Sequence, residues 1–238
     1  MNVAVIFAGG TGQRMKAKTK PKQFLELHGK PILVYTIEHF QRHKEIDGVV
    51  LVILESWIDY CKELIETYRL TKVKAVIAGG RTGQESIYHG LSEVERLFGT
   101  EDVTVLVHDG VRPLIDEQTI TNALECVKAH GNAITVTPAI ETVSMTDENG
   151  MIVNVVDRSK CFMARAPQCF RLAELLGCHR RAIDEQQEFI DSASMMRHYG
   201  YDLYTVEGAI ENIKITTPSD FYIFRAIVDA REGSQIFG

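Results

Sequence analysis

The 238-residue chain reads as an α/β protein built on a mostly parallel sheet flanked by helices. Three observations predict this. Short β-branched apolar runs alternate with amphipathic stretches up to about residue 130. Those stretches carry helix start signals such as Pro31 and Asp116. Strand–helix–strand order implies right-handed crossovers and hence parallel neighbours.

The elements follow in order. Residues 3–7 form a first, buried strand, and 31–41 a helix with Pro31 in its first turn. A second strand spans 49–53, and Ser56 is positioned to cap a helix running to about residue 68. Residues 73–77 are a strand, 84–97 a helix and 104–107 a strand ending at His108-Asp109-Gly110. Asp116 precedes a helix over 117–129. Beyond the strand at 133–137, residues 141–145 and 151–156 read as two strands around Asp147-Glu148-Asn149-Gly150, whose Asn-Gly suits a tight hairpin turn. Such a hairpin cannot bury its apolar face alone, which points to an arm, at about 139–159, packing on a second subunit. Helices at 172–183, 191–199 and 219–231 and a strand at 203–206 complete the chain. With no internal repeat and no evident linker, residues 1–238 read as a single domain carrying that arm.

Composition narrows the function. The chain is 45% hydrophobic and 24% charged, with a formal net charge of −6. That balance argues against nucleic acid as a partner, because phosphate-backbone binding wants a basic face. No stretch approaches the ~20 apolar residues that span a bilayer. The opening MNVAVIFAGG has no basic n-region or cleavage site and reads as a strand. The cysteines (61, 126, 161, 169, 178) are scattered and form no CxxC pair, as expected of reduced thiols in a cytoplasmic protein.

Three segments could carry chemistry. Directly after the first strand comes Ala8-Gly9-Gly10-Thr11-Gly12-Gln13-Arg14-Met15, where open α/β sheets bind ligands. Glycines there let backbone N–H groups approach an anion, and Arg14 offers a charged fork for phosphate. The loop lacks the Gly-Lys-Ser/Thr ending of a P-loop and the register of a dinucleotide fingerprint. On its glycines alone, a tight turn without ligand accounts for it equally well. The basic residues that follow (Lys16, Lys18, Lys20, Lys22) favour an anion, with Lys22 fixed between Pro21 and Gln23. The second segment is His108-Asp109-Gly110-Val111-Arg112-Pro113. A carboxylate at a strand's end beside a phosphate loop suits Mg²⁺ or another divalent cation, although Asp109 could instead cap a turn and pair with Arg112. His108 reads as structural. The third segment is Asn212-Ile213-Lys214-Ile215-Thr216-Thr217-Pro218, a strand-like run before a helix capped near Thr217 or Ser219. Alone, its Lys214 would be a surface lysine.

Together these segments, with PKQF, AGG…SIYHGL, DR…APQ and EGAIENIKITTPSDF, resemble the cytidylyltransferases that join CTP to the phosphate of a small polyol. The resemblance runs from residue 3 to about 227. It implies a Rossmann-like nucleotidyltransferase fold and a homodimer joined through the arms. It implies that Arg14, Lys22 and Lys214 are catalytic, neutralising charge at the α-phosphate. Ala8, Gly9, Gly10, Thr11, Gly12, Gly79, Gly80, Ser86 and Asp109 would bind CTP, with Asp109 also near the metal. Arg112, Thr142, Arg158, Ile190 and Asp191 would serve the polyol phosphate, Arg158 in the other subunit's site.

Departures fall mainly on the acceptor side. Gly83 stands where the resembled proteins usually carry Arg, with Arg81 two residues earlier. Arg165-Ala166-Pro167-Gln168 replaces Gln-Thr-Pro-Gln, and Ile190-Asp191 replaces Thr-Asp. The opening Ala-Gly-Gly, Trp57, Val111 before Arg112 and the missing Thr before Asp191 lean toward ribitol 5-phosphate. Ser86-Ile87, Gly90-Leu91, Val156-Asp157-Arg158 and the 191–194 spacing lean toward 2-C-methyl-D-erythritol 4-phosphate. The expected reaction is transfer of the cytidylyl group to the polyol phosphate with release of pyrophosphate, ribitol 5-phosphate being the favoured acceptor. A sugar-1-phosphate pyrophosphorylase and a non-catalytic nucleotide-binding regulator are the competing classes.

Overall fold

The computed structural model describes residues 1–10 and 20–237. In chain order it contains β1 (Asn2–Ala8), β2 (Glu26–Leu27), β3 (Lys30–Pro31), α1 (Ile32–Arg42), β4 (Gly48–Ile53), α2 (Ile58–Thr67) and β5 (Val73–Ala78). Next come α3 (Gly83–Phe98), β6 (Thr104–Asp109), α4 (Glu117–His130), β7 (Asn132–Pro138), β8 (Ser144–Thr146) and β9 (Ile152–Val155). The chain continues through β10 (Phe162–Arg171), α5 (Leu172–Asp184), α6 (Ser192–His198), β11 (Thr205–Glu207) and α7 (Pro218–Phe237).

Seven strands form the central sheet in the order β11-β7-β10-β6-β1-β4-β5. All pair in parallel except β10, which runs antiparallel to both β6 and β7. Phe7 lies beside Asp109 and Ala8 beside Ile53, so β1, β6 and β4 end at one edge. That edge is where the candidate site forms.

Side-chain alternation along β1 feeds two layers. Val3 and Val5 join Ile87, Leu91 and Val94 of α3 and Leu172, Leu175 and Leu176 of α5. Ala4 and Ile6 face Leu33, Ile37 and Phe40 of α1 and Ile120 and Leu124 of α4. The α3 residues recur at helical spacing, which gives that helix its buried stripe. Gly90 lets α3 lie close to the sheet, since a Cβ there would sit 2.5 Å from Val5 Cγ1. A third cluster joins Leu27, Ile32, Val111, Leu114 and Ile215 to Phe224 and Val228 of α7. Burying these apolar groups holds the segment before α7 against the end of β6.

Several elements differ from the sequence expectation. Ser56 does not cap a helix: it lies in a 3-10 turn, Glu55–Trp57, and Trp57 precedes α2 without a side-chain cap. Strand β10 was not foreseen, because Pro167 cannot donate to a ladder and so argues against an interior strand. The structure accommodates it at an irregularity in the β7 pairing between Ala164 and Gln168. Lys214 lies in no strand. Its segment is irregular and is held by the Ile215 N–H donating to Val111 O at 2.9 Å. Thr217 and Asp220 cap α7: the Thr217 N–H donates to Asp220 Oδ2 at 2.7 Å. The expected hairpin is present as the β8–β9 ribbon, shorter at its start than 141–145. Asp147 Oδ1 accepts from the Asn149 and Met151 N–H groups, both at 2.9 Å, and Gly150 takes φ +82°. Met145, Ile152, Val153 and Val155 on this ribbon are all exposed.

Candidate active site

At the end of β1, Ala8 leads into Gly9 and Gly10. The Gln23 side-chain amide, 1% exposed, donates to Ala8 O at 2.6 Å. That bond ties the 3-10 turn Lys22–Phe24 to the start of the glycine loop. Phe24 anchors the turn from below, stacked on Trp57 with centroids 4.7 Å apart and edge-on to Tyr60 at 5.1 Å. Lys22 is thereby carried over the sheet edge, where its Nζ donates to Ile215 O at 3.0 Å. Gln23 and its aromatic footing were not singled out from sequence, although Pro21-Lys22-Gln23 was the available signal. Thr11, Gly12 and Arg14, together with Gln13, Met15, Lys16 and Lys18, lie outside the described residues.

The opposite wall is built from Gly79, Gly80 and the start of α3. Thr82 Oγ1 accepts from the Glu85 N–H at 3.1 Å and so caps the helix. Ser86 Oγ accepts from the Gly80 N–H at 3.0 Å and donates to Thr82 O at 2.8 Å. A Cβ at Gly79 would stand 2.9 Å from that oxygen, and one at Gly9 3.6 Å from it. Ser86 therefore sits between the two glycine loops. Gly9, Gly10, Gly80, Thr82 and Ser86, with Lys22, Asp109 and Lys214, line a cavity of about 270 Å³.

Asp109 ends β6 and is 7% exposed. Its Oδ1 accepts from Lys214 Nζ at 2.6 Å and its Oδ2 from Arg112 Nε at 2.8 Å. Arg112 also donates to Asn212 O at 2.9 Å, and Asn212 Nδ2 to Ala166 O at 2.7 Å. Burial alone would push the Asp109 carboxyl up, but the Lys214 and Arg112 charges outweigh it and hold it near 2. His108 is fully buried and packs on Phe40; burial lowers it to about 3, in keeping with a structural role.

A second cavity, of about 490 Å³, opens on the far side of Asp109 and Lys214. It shares Phe7, Thr82, Gly83, Asp109 and Lys214 with the first, so the two meet at the Asp109–Lys214 pair. Arg112, Ile190 and Asp191 line it, as do Arg165 and Gln168 from β10. The last two were missed as site residues because their strand was. Ile190 is 94% exposed at the mouth. Asp191 is bound up in structure: Oδ1 accepts from the Ser194 N–H at 2.8 Å, capping α6, and Oδ2 from Gln168 Nε2 at 2.8 Å. Thr142 and Arg158 lie in neither cavity. Arg158 donates to Ile140 O at 3.0 Å at the base of the ribbon, and Thr142 is exposed beside it.

No group of three or more His, Cys, Asp or Glu suited to a metal occurs among the described residues. Among the described residues Asp109 is the one carboxylate common to both cavities, and cations occupy both its oxygens. Lys22 and Arg81 line the smaller cavity, Arg112 and Arg165 the larger, and the Asp109–Lys214 pair lies between them. This arrangement suits the joining of two phosphate-bearing molecules. No described helix is long and apolar enough to cross a membrane.

Comparison with known proteins finds relatives along nearly the whole chain. The sequence profile of a family described as 2-C-methyl-D-erythritol 4-phosphate cytidylyltransferase (IspD) matches residues 2–230. The chain is 52% identical over 239 residues to a ribitol-5-phosphate cytidylyltransferase of Vibrio parahaemolyticus, covering 100% of both. It is 38% identical over 223 residues to a 2-C-methyl-D-erythritol 4-phosphate cytidylyltransferase of Clostridium acetobutylicum, covering 93% of this chain and 95% of the other. A 4-diphosphocytidyl-2C-methyl-D-erythritol synthase structure from Anaerococcus prevotii superposes with a TM-score of 0.83 at 25% identity, covering 96% of each chain.

Proposed function

The chain belongs to the 2-C-methyl-D-erythritol 4-phosphate cytidylyltransferase (IspD) family, and from that premise we propose that it transfers the cytidylyl group of CTP to D-ribitol 5-phosphate, forming CDP-ribitol and pyrophosphate. The observation that carries the reading is the meeting of two cavities at Asp109 and Lys214. The choice of ribitol is supported by 52% identity to a relative named for that acceptor, against 38% to one named for methylerythritol phosphate. Methylerythritol 4-phosphate is the second reading, favoured by the family description itself.

In the proposed reaction an oxygen of the acceptor phosphate attacks the α-phosphorus of CTP in line, and pyrophosphate leaves. The nucleophile is already anionic, so positioning and electrostatics supply most of the catalysis. The triphosphate would occupy the smaller cavity, against Gly9, Gly10, Gly80 and Lys22. The acceptor would occupy the larger one, with Arg112 at its edge. Lys214, at the junction, would meet the charge developing on the α-phosphate together with Lys22 and Arg14. Asp109 would hold Lys214 and Arg112 in place. A single carboxylate with both oxygens engaged is a poor protein-built metal site. It fits an Mg²⁺ ion carried mainly by the nucleotide's own phosphates, with Asp109 as its neighbour. Such an ion would offset phosphate charge.

The reading includes a homodimer joined through the β8–β9 ribbon, with Arg158 reaching the partner's acceptor cavity. Support comes from the exposed Met145, Ile152, Val153 and Val155, since a two-stranded ribbon is marginal alone. A cytoplasmic setting is supported by five free thiols. The test is to incubate the protein with CTP, Mg²⁺ and ribitol 5-phosphate. CDP-ribitol and pyrophosphate should form in equal amounts. CTP binding without turnover would overturn the reading.

A further inference from the structure

We infer that Arg165 is an acceptor-binding residue that holds the phosphate of the acceptor directly, a role that rests on the transfer reaction proposed above. Its side chain emerges where β10 departs from regular pairing with β7, between Ala164 and Gln168. An irregularity of this kind releases residues from the ladder and re-aims their side chains. Arg165 is half-buried and lines the larger cavity but not the smaller one.

Its partners are the telling feature. Nε donates to Thr137 Oγ1 at 3.2 Å, a neutral acceptor, and no carboxylate lies within ion-pair distance among the described residues. The neighbouring Arg112 is matched differently, by Asp109 at 2.8 Å. Burial and the nearby Arg112 charge both lower the Arg165 pKa, so the half-buried Arg165 and the buried Arg112 stand close enough to repel. Around them the cavity is short of negative charge. Asp109 faces both Lys214 and Arg112, the Asp191 oxygens are taken by Gln168 and Ser194, and Glu188 is an exposed rim residue. A desolvated, uncompensated cation is costly unless a ligand supplies the countercharge.

A phosphate monoester carries about −1.5 to −2 charges at neutral pH and offers three acceptor oxygens. With Nε committed to Thr137, the terminal nitrogens of Arg165 remain to grip two of those oxygens as a fork. Arg112 lies on the side toward Asp109. The pair would therefore hold the phosphate at the end of the cavity that meets the nucleotide site, with its third oxygen free to attack.

The experiment compares wild type, Arg165→Gln and Arg165→Lys in steady-state kinetics and in sulfate inhibition. Arg165→Gln should raise the KM for ribitol 5-phosphate by about 10-fold or more, with the KM for CTP within twofold of wild type. Arg165→Lys should recover part of the loss, as a point charge without the fork. Sulfate should compete with the acceptor in wild type and weaken in parallel in Arg165→Gln. An acceptor KM within twofold of wild type, or equal rises for both substrates, would overturn the inference. If ribitol 5-phosphate is not turned over at all, the functional reading has failed instead. Sulfate titrated into CTP-saturated protein then decides the role of Arg165. A thermal upshift in wild type that Arg165→Gln lacks supports it, and equal shifts or none in either protein overturn it.

Discussion

Lys214 shows how a single residue's meaning depends on what the fold brings to it. In sequence it is an ordinary lysine in an apolar run. In the structure it contacts the buried Asp109 at 2.6 Å and borders both cavities. Removing an electrostatic contact to a reacting phosphate costs about 3 kcal/mol in the barrier, or roughly 10²–10³ in rate. Lys214→Ala should therefore lower kcat by about that factor and change the KM for CTP far less, measured as pyrophosphate release. Lys22→Ala should behave similarly, since its turn delivers it to the same edge. Equal, near-wild-type turnover in both variants would refute the charge clamp. Lys22 and Asp109 stood out in sequence by their local setting and Lys214 only through the family resemblance, and the structure lines all three along one cavity. Arg165 was legible only as a departure within residues 165–168: its place in the cavity follows from its strand, hidden in sequence by Pro167. Asp191 was legible as a position, yet its oxygens serve the α6 cap and Gln168.

At the level of elements, one wall of the proposed nucleotide cavity depends on two glycine loops closing around Ser86. Gly79→Ala would place a methyl group 2.9 Å from Ser86 Oγ, in a gap that has no room for it. Ser86 would have to move and release the Gly80 N–H. The expected result is a several-fold rise in the KM for CTP with little change in the acceptor KM, read from initial rates. An unchanged CTP KM would show that this wall does not serve the nucleotide. The central-sheet strands and the helices up to α4 were readable in outline because buried parallel strands are short and β-branched and Asp116 caps α4, while the short β2 and β3 and the true start of α2 were not. Readability fell where long-range packing overrides local signals. Strand β10 accommodates a proline at a pairing irregularity, and the segment around Lys214 is apolar because Ile215 plugs into the α7 cluster, not because it forms a strand.

For the molecule as a whole, buried neutral histidines link stability to pH. His179 is 1% exposed, and burial lowers it to about 4. Unfolding returns it to the ordinary value near 6.5. Between about 6.5 and about 4 the unfolded chain thus binds the extra proton, so stability falls as pH falls through that window and is full above it. Urea midpoints should drop between pH 7 and pH 4.5, and drop less in His179→Phe. An identical drop in both would remove His179 from the explanation. The overall architecture, an α/β sheet with a ribbon extending from it, was foreseen from element order and from the Asn-Gly turn. How the two cavities meet could not be, because that depends on β6, β10 and the segment before α7 converging from distant parts of the chain. That meeting point is where the proposed transfer would occur. The most direct test of that transfer is kcat/KM measured side by side for ribitol 5-phosphate and 2-C-methyl-D-erythritol 4-phosphate with CTP and Mg²⁺. The account predicts preference for ribitol 5-phosphate by about 100-fold, the scale set by two or so well-placed polar contacts. Equal use of both, or preference for methylerythritol phosphate, would contradict it.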